Sequence, residues 1–101
     1  MQELENLGLN KNEITVYILA LRMGISTAKR IAALAGMPRS TTYDVLESLK
    51  GKGLISTFTK DKKQYFQANK PKVLLEQLKE KGNIAARIVP ELEKIQGTII
   101  E

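Results

Sequence analysis

Only Met37 and Pro38 stand between Gly36, where one helical pattern stops, and the polar start of the next. Two short helices joined by a tight, glycine-containing turn form a helix-turn-helix. The first, "TAKRIAALA", places Ile31, Ala32, Leu34 and Ala35 on its apolar faces, and Ser26 is positioned to cap it. The second runs from Pro38 to about Lys50 in "PRSTTYDVLESLK". Its inward positions are Thr42, Val45, Leu46 and Leu49. Its outward ones are Arg39, Ser40, Tyr43, Asp44, Glu47 and Ser48, with Thr41 towards the edge. A helix made only to fill a core has no need of so polar a first turn.

Around this pair the spacing predicts the rest of a small domain. Asn10 and Glu13 form a capping-box pattern ahead of Ile14, Tyr17, Ile18 and Leu21, which predicts a helix over 11–23. After Gly53, "LISTFT" and "QYFQA" are rich in β-formers and flank the polar "KDKK", which predicts a hairpin over 54–68 with a basic tip. The turn lacks Asn-Gly or Asp-Gly, so its geometry stays open. The fold class is therefore mainly α with a small β-hairpin: a winged helix-turn-helix over residues 1–70. A C-terminal helical segment, 71–101, follows. Its helix over 71–96 opens at Pro71, with Gly82 and Pro90 as places where it could kink or divide.

Charge separates the two parts. Residues 1–70 hold eleven Lys/Arg against six Asp/Glu, whereas residues 71–101 hold five of each. The net charge of +5 thus belongs wholly to the first part, which suits a polyanionic partner. A basic surface with no partner is the plain alternative. No apolar run approaches the roughly 18 residues of a membrane span, and the polar, acidic start is unlike a secretion signal. The expected location is cytoplasmic and nucleoid-associated.

The chain has no cysteine and no histidine, which excludes disulfides, the common zinc sites and histidine acid-base catalysis. Gly51-Lys52 fails as a phosphate-binding loop, because Leu46 occupies the required glycine position and Gly53 stands where Ser or Thr should follow. No enzyme, catalytic residue, metal or cofactor is expected, and no effector pocket is legible.

The residues that fit nucleic acid lie on three elements. Helix N-termini present free N–H groups and a positive dipole end to phosphate. Arg39 there can grip phosphate or read guanine, Ser40 and Thr41 can bond phosphates or base edges, and Tyr43 can meet a thymine methyl or the backbone. Lys60, Lys62 and Lys63 at the hairpin tip suit phosphates or the minor groove, although lysines also protect a sheet edge. Lys29 and Arg30 on the preceding helix, and Thr27 near its N-terminus, are weaker candidates for backbone contacts. Asp44 and Glu47 oppose a purely electrostatic account. They either pair with nearby cations or accept a bond from cytosine N4.

In the C-terminal segment, Leu74, Leu78, Lys81, Ala85, Ile88, Leu92, Ile95 and Ile99 follow alternating steps of four and three, a heptad-like seam spoiled at Lys81. A homodimer is the economical way to bury it, with Leu75, Leu78, Ala85, Ile88, Leu92, Ile95 and Ile99 as the interface. A symmetric dimer favours a palindromic double-stranded DNA site.

The stretches "LGLNKNEITVYILAL", "IAALAGMPRSTTYDVLESLKGKGLI" and "YFQANKPKVLLEQL" resemble the DNA-binding domain of TrmB-like transcriptional regulators, which are prokaryotic, mainly archaeal, winged-helix proteins. The resemblance covers about residues 4–80. It implies that residues 38–50 are a recognition helix and that the helix after the wing supports a dimer. Larger members carry a sugar-binding C-terminal domain. It has no counterpart in these 101 residues, so sugar sensing is not carried over. The expected function is sequence-specific regulation of transcription. The rivals are a winged-helix protein-interaction adaptor, which Asp44 and Glu47 would serve, and an architectural protein coating DNA without preference.

Overall fold

The computed structural model of the chain describes residues 1–98. In order, the elements are α1 (Gln2–Asn6), α2 (Lys11–Met23), α3 (Ala28–Ala35), α4 (Arg39–Gly51), β1 (Ile55–Lys60), β2 (Lys63–Ala68) and α5 (Val73–Gln96). They divide into two units, residues 1–70 and the segment from residue 71 onward. The first is a winged helix-turn-helix.

Local chemistry sets the helix ends. The Asn10 side chain accepts from Glu13 N–H at 2.8 Å while Asn10 N–H donates to Glu13 Oε1 at 2.9 Å, a complete capping box that starts α2 at Lys11. At the other side of the turn the expected cap moves by one residue. Thr27, not Ser26, caps α3, its Oγ1 accepting from Arg30 N–H at 3.3 Å. Ser26 is occupied elsewhere: its N–H donates to Phe66 O at 3.0 Å and its carbonyl accepts from Phe66 N–H at 2.7 Å. That bridge ties the helical layer to the wing.

Gly36 closes α3 in the left-handed region, φ 68° and ψ 31°, which a Cβ would penalise. The chain then enters α4 through extended Pro38. No side chain caps α4 at Pro38. Thr42, fully buried, satisfies its hydroxyl by donating to Pro38 O at 3.0 Å. Gly53, φ 75°, ends the helix region, with Gly53 N–H donating to Lys50 O and Leu54 N–H to Leu49 O, each at 3.0 Å.

The core lies between α2, α3, α4 and one face of the hairpin. Val16, Ile31, Leu46, Leu49, Leu54, Ile55 and Phe66 are fully buried or nearly so. Truncating Phe66 to alanine would cost about 3–5 kcal/mol. On α2 the buried apolar positions are Ile14, Val16, Tyr17 and Ala20, whereas Leu21, expected inside, is exposed. The inward face of α4 is the expected Thr42, Val45, Leu46 and Leu49.

The wing is an antiparallel pair in register from Ile55↔Ala68 to Lys60↔Lys63. Its two-residue turn, Asp61 (φ 52°) and Lys62 (φ 65°), is left-handed at both positions, the type I′ arrangement. That twist matches a hairpin, but without glycine it carries backbone strain. Phe58 and Tyr65, cross-strand partners, stack with centroids 5.5 Å apart and planes inclined by 21°.

The second unit is α5, 24 residues or about 36 Å of helix. It begins at Val73 rather than Pro71, and it runs uninterrupted through Gly82 and Pro90. Pro90 has no N–H for the carbonyl of Ala86, and the residues there are exposed, so water can serve that carbonyl. No residue of α5 is buried.

Candidate nucleic-acid interface

The N-terminal ends of α3 and α4 and the tip of the wing meet around a groove of about 550 Å³. From α3 and its cap come Thr27, Ala28 and Lys29; from α4, Arg39 and Tyr43; from the wing, Lys62, Lys63 and Gln64. Four of these carry positive charge and none carries a carboxylate. Residues from 27 to 64 are thereby brought to one concave surface, which linear spacing could not establish.

Tyr43 is braced within it. Its ring meets Phe66 edge-on, centroids 6.0 Å apart at 76°. The Arg39 guanidinium carbon stands 6.0 Å from the Tyr43 centroid, at the limit of a cation–π contact. The buried Phe66 thus supports Tyr43, and Tyr43 restrains Arg39. Thr27 lines the groove, although its oxygen already accepts the capping bond from Arg30.

Not every expected residue joins the groove. Ser40, exposed, and Thr41, half-buried, lie on the first turn of α4 but outside the lining. Lys60 lines a different hollow, with Ile25, Phe58, Asp61 and Tyr65. Asp44 and Glu47 are exposed, and neither forms the expected surface ion pair. Among the described residues the ion pair is Lys52–Glu13, at 2.8 Å.

That pair belongs to a polar cluster which sequence reasoning missed. Glu13 is 1% exposed. Its carboxylate accepts from Asn10 N–H, from Ser48 Oγ at 2.6 Å and from Lys52 Nζ, which also donates to Gly8 O at 2.9 Å. Burial pushes the carboxyl pKa upward, yet the bonds from Lys52, Ser48 and Asn10, with the lysine charge, outweigh it and hold the group below its ordinary value. By spacing, Ser48 falls on the outward face of α4, and Lys52 follows Gly51 in a stretch that fails as a phosphate loop. The capping box identified Glu13, but nothing local signalled partners so far along the chain. Gln64 was likewise missed. By contrast, the buried Tyr17 hydroxyl has no hydrogen-bond partner among the described residues, and burial raises its pKa.

In α5, Leu75, Leu78, Ile88, Leu92 and Ile95 are exposed, as is Ala85. Ile84 and Val89, not anticipated, widen the apolar surface. Ile99 lies outside the described residues. Among those described, no helix is long and apolar enough to cross a membrane and no cluster of His, Cys, Asp or Glu could hold a metal ion.

The family model of the sugar-specific transcriptional regulator TrmB matches residues 4–72. The chain belongs to the TrmB family. It is a family of transcriptional regulators and not of enzymes. The chain is similar to the HTH-type sugar sensing transcriptional regulator TrmBL1 of Pyrococcus furiosus, 34% identical over 80 residues that span 79% of this chain and 23% of that one. TrmBL2, an archaeal chromatin protein described as showing a novel mode of DNA binding, is 30% identical. The match covers 87% of this chain and 33% of TrmBL2, with a TM-score of 0.66. This TrmB-family chain therefore spans between about a quarter and a third of the length of both relatives. The same fold recurs in the homodimeric winged helix-turn-helix DNA-binding domain of a possible ArsR-family regulator from Mycobacterium bovis. There the identity is 22%, the match covers 81% of this chain and 79% of that one, and the TM-score is 0.59.

Proposed function

We propose that this TrmB-family chain is a sequence-specific, double-stranded DNA-binding regulator of transcription that works as a homodimer beside the prokaryotic nucleoid. The observation that carries it is the groove in which Lys29, Arg39, Lys62 and Lys63 converge with no opposing carboxylate. In this reading α4 enters the major groove. Arg39 and Tyr43 face base edges, while Lys29 and the wing lysines hold phosphates on either side. Ser40 and Thr41 stand at the same helix end and reach the flanking backbone. Lys60 approaches the duplex from the far side of the tip.

The dimer rests on α5, where Leu78, Ile88, Leu92 and Ile95 are all about half exposed or more. Apolar residues at this spacing along a helix pair with a second copy. Two such domains read half-sites about one turn of DNA apart, hence an inverted repeat. Mass measurement in solution tests that state by itself.

The kinship with TrmBL2, a chromatin protein, favours a second reading, in which the chain coats DNA without preference. Anisotropy titration of labelled duplexes separates the two. The regulator binds one duplex at least about a thousandfold tighter than random sequence. The architectural protein binds all alike. In both cases affinity falls with salt, by a slope of about −3 to −4 for each domain if all four groove cations meet phosphates. Arg39→Ala weakens binding and, if Arg39 reads a base, relaxes the preference. Unchanged affinity and preference in that variant would remove Arg39 from the interface.

A further inference from the structure

The wing has a second face that the groove does not use. Strand alternation sends Phe66 into the core and its neighbour Tyr65 to the opposite side. There Tyr65 stacks on Phe58, which is 39% exposed. Ile25, 53% exposed, precedes the Ser26 that pairs with Phe66, and so it extends this surface by one strand. These three side chains line a hollow of about 420 Å³, closed at the tip by Lys60 and Asp61.

We propose that this hollow binds an unpaired nucleobase of a single nucleic-acid strand. The inference rests on the reading of the groove as a DNA interface. The exposed Phe58 ring, backed by the near-parallel, half-buried Tyr65 ring, offers a platform on which a third flat ring can stack, and every base has such a face. The bases of a duplex keep their faces covered, so the ligand is single-stranded or locally unpaired. Lys60 at the rim supplies the charge for the adjoining phosphate. The Asp61 carboxylate can accept from an exocyclic amino group, the pairing by which acidic side chains meet cytosine N4.

Two observations favour nucleic acid over another protein. The hollow adjoins the groove along the chain: Asp61, which lines it, is followed directly by the groove residues Lys62 and Lys63. The tip as a whole, Lys60 to Lys63, holds three lysines against one aspartate. A strand released from a duplex in the groove thus meets the hollow across the two-residue turn.

The test is anisotropy at low salt with labelled dC12 and dT12, using the whole chain, Phe58→Leu and Asp61→Asn. The wild type should bind dC12 about fivefold or more tightly than dT12. Phe58→Leu should lose about fivefold or more on both, the lower end of what one stacked base contributes. Asp61→Asn, which suits the left-handed turn at least as well as aspartate and replaces a charged acceptor by a neutral one, should keep dT12 binding and reduce the preference. Equal, Phe58-independent binding of both strands would reduce the contact to plain charge attraction and overturn the proposal. So would competition by free CMP at the same concentration as dC12, which would make the ligand a nucleotide. Duplex binding is measured in parallel. Intact duplex affinity with Phe58-independent single-strand binding overturns this inference alone. Absent duplex binding with tight, Phe58-dependent dC12 binding overturns the groove's assignment and keeps this one.

Discussion

Ser48, near the end of α4, donates a 2.6 Å hydrogen bond to the carboxylate of Glu13, thirty-five residues earlier at the start of α2. Lys52 completes the link from just beyond α4. The C-terminal end of the helix proposed to read DNA is thus fastened to α2 by a buried charge, while its N-terminal end faces the groove. Because the folded protein holds the Glu13 carboxyl below its ordinary value of 4.5, the link stabilises the fold fully above that value and is lost as pH falls through the folded one. Lys52→Met removes the strongest of the opposing bonds together with the lysine charge, so the Glu13 carboxyl pKa should rise. Acid unfolding, followed by circular dichroism, should then begin at higher pH than in the wild type. An unchanged acid midpoint would mean that Lys52 contributes nothing.

Tyr17 poses the opposite case. Its hydroxyl is buried without a hydrogen-bond partner among the described residues, and leaving such a group unsatisfied costs about 1–3 kcal/mol. Tyr17→Phe keeps the ring and removes the oxygen. Urea unfolding should show the variant equal in stability or up to about 1 kcal/mol more stable. A loss of stability would show that the hydroxyl is in fact satisfied.

The wing turn couples stability to binding. Lys62 is left-handed at φ 65° and also lines the groove. Lys62→Gly relieves the backbone, worth about 1 kcal/mol, and removes one cation. Thermal unfolding should move up while the salt slope of duplex binding becomes shallower by about 1. A rise in melting temperature with an unchanged slope would take Lys62 out of the interface.

Arg39 makes a sharper distinction than its charge alone. Arg39→Lys keeps the charge but loses the planar fork and the guanidinium beside the Tyr43 ring. The salt slope should hold while discrimination against a single wrong base pair drops, by about 1–3 kcal/mol at the position Arg39 reads. If discrimination is retained, Arg39 serves only as a phosphate contact.

Much of the architecture was legible because it is set locally. The capping box fixed α2, the inward residues of α4 follow one periodicity, and β-formers flanking a polar tetrapeptide marked the wing. What escaped depends on distant partners. Ser26 is as good a cap as Thr27, but Phe66 claims its backbone from forty residues away. Leu21 fits the helical rhythm of α2 and still ends exposed. The turn at Asp61-Lys62 adopts a glycine-favoured shape without glycine, because the register around it leaves two residues to connect the strands. Gly82 and Pro90 suggested breaks in α5, yet an exposed helix tolerates both. Of the groove, the chemistry of Arg39, Lys62 and Lys63 was readable. Their convergence with Lys29 and Tyr43, and the departure of Lys60 to the other face, needed the fold.

The most direct test of the account is selection from a random duplex library at physiological salt with the whole chain. A dimeric, sequence-specific regulator should enrich an inverted repeat whose half-sites lie about 10 base pairs apart, centre to centre. A folded protein that enriches no sequence would contradict it.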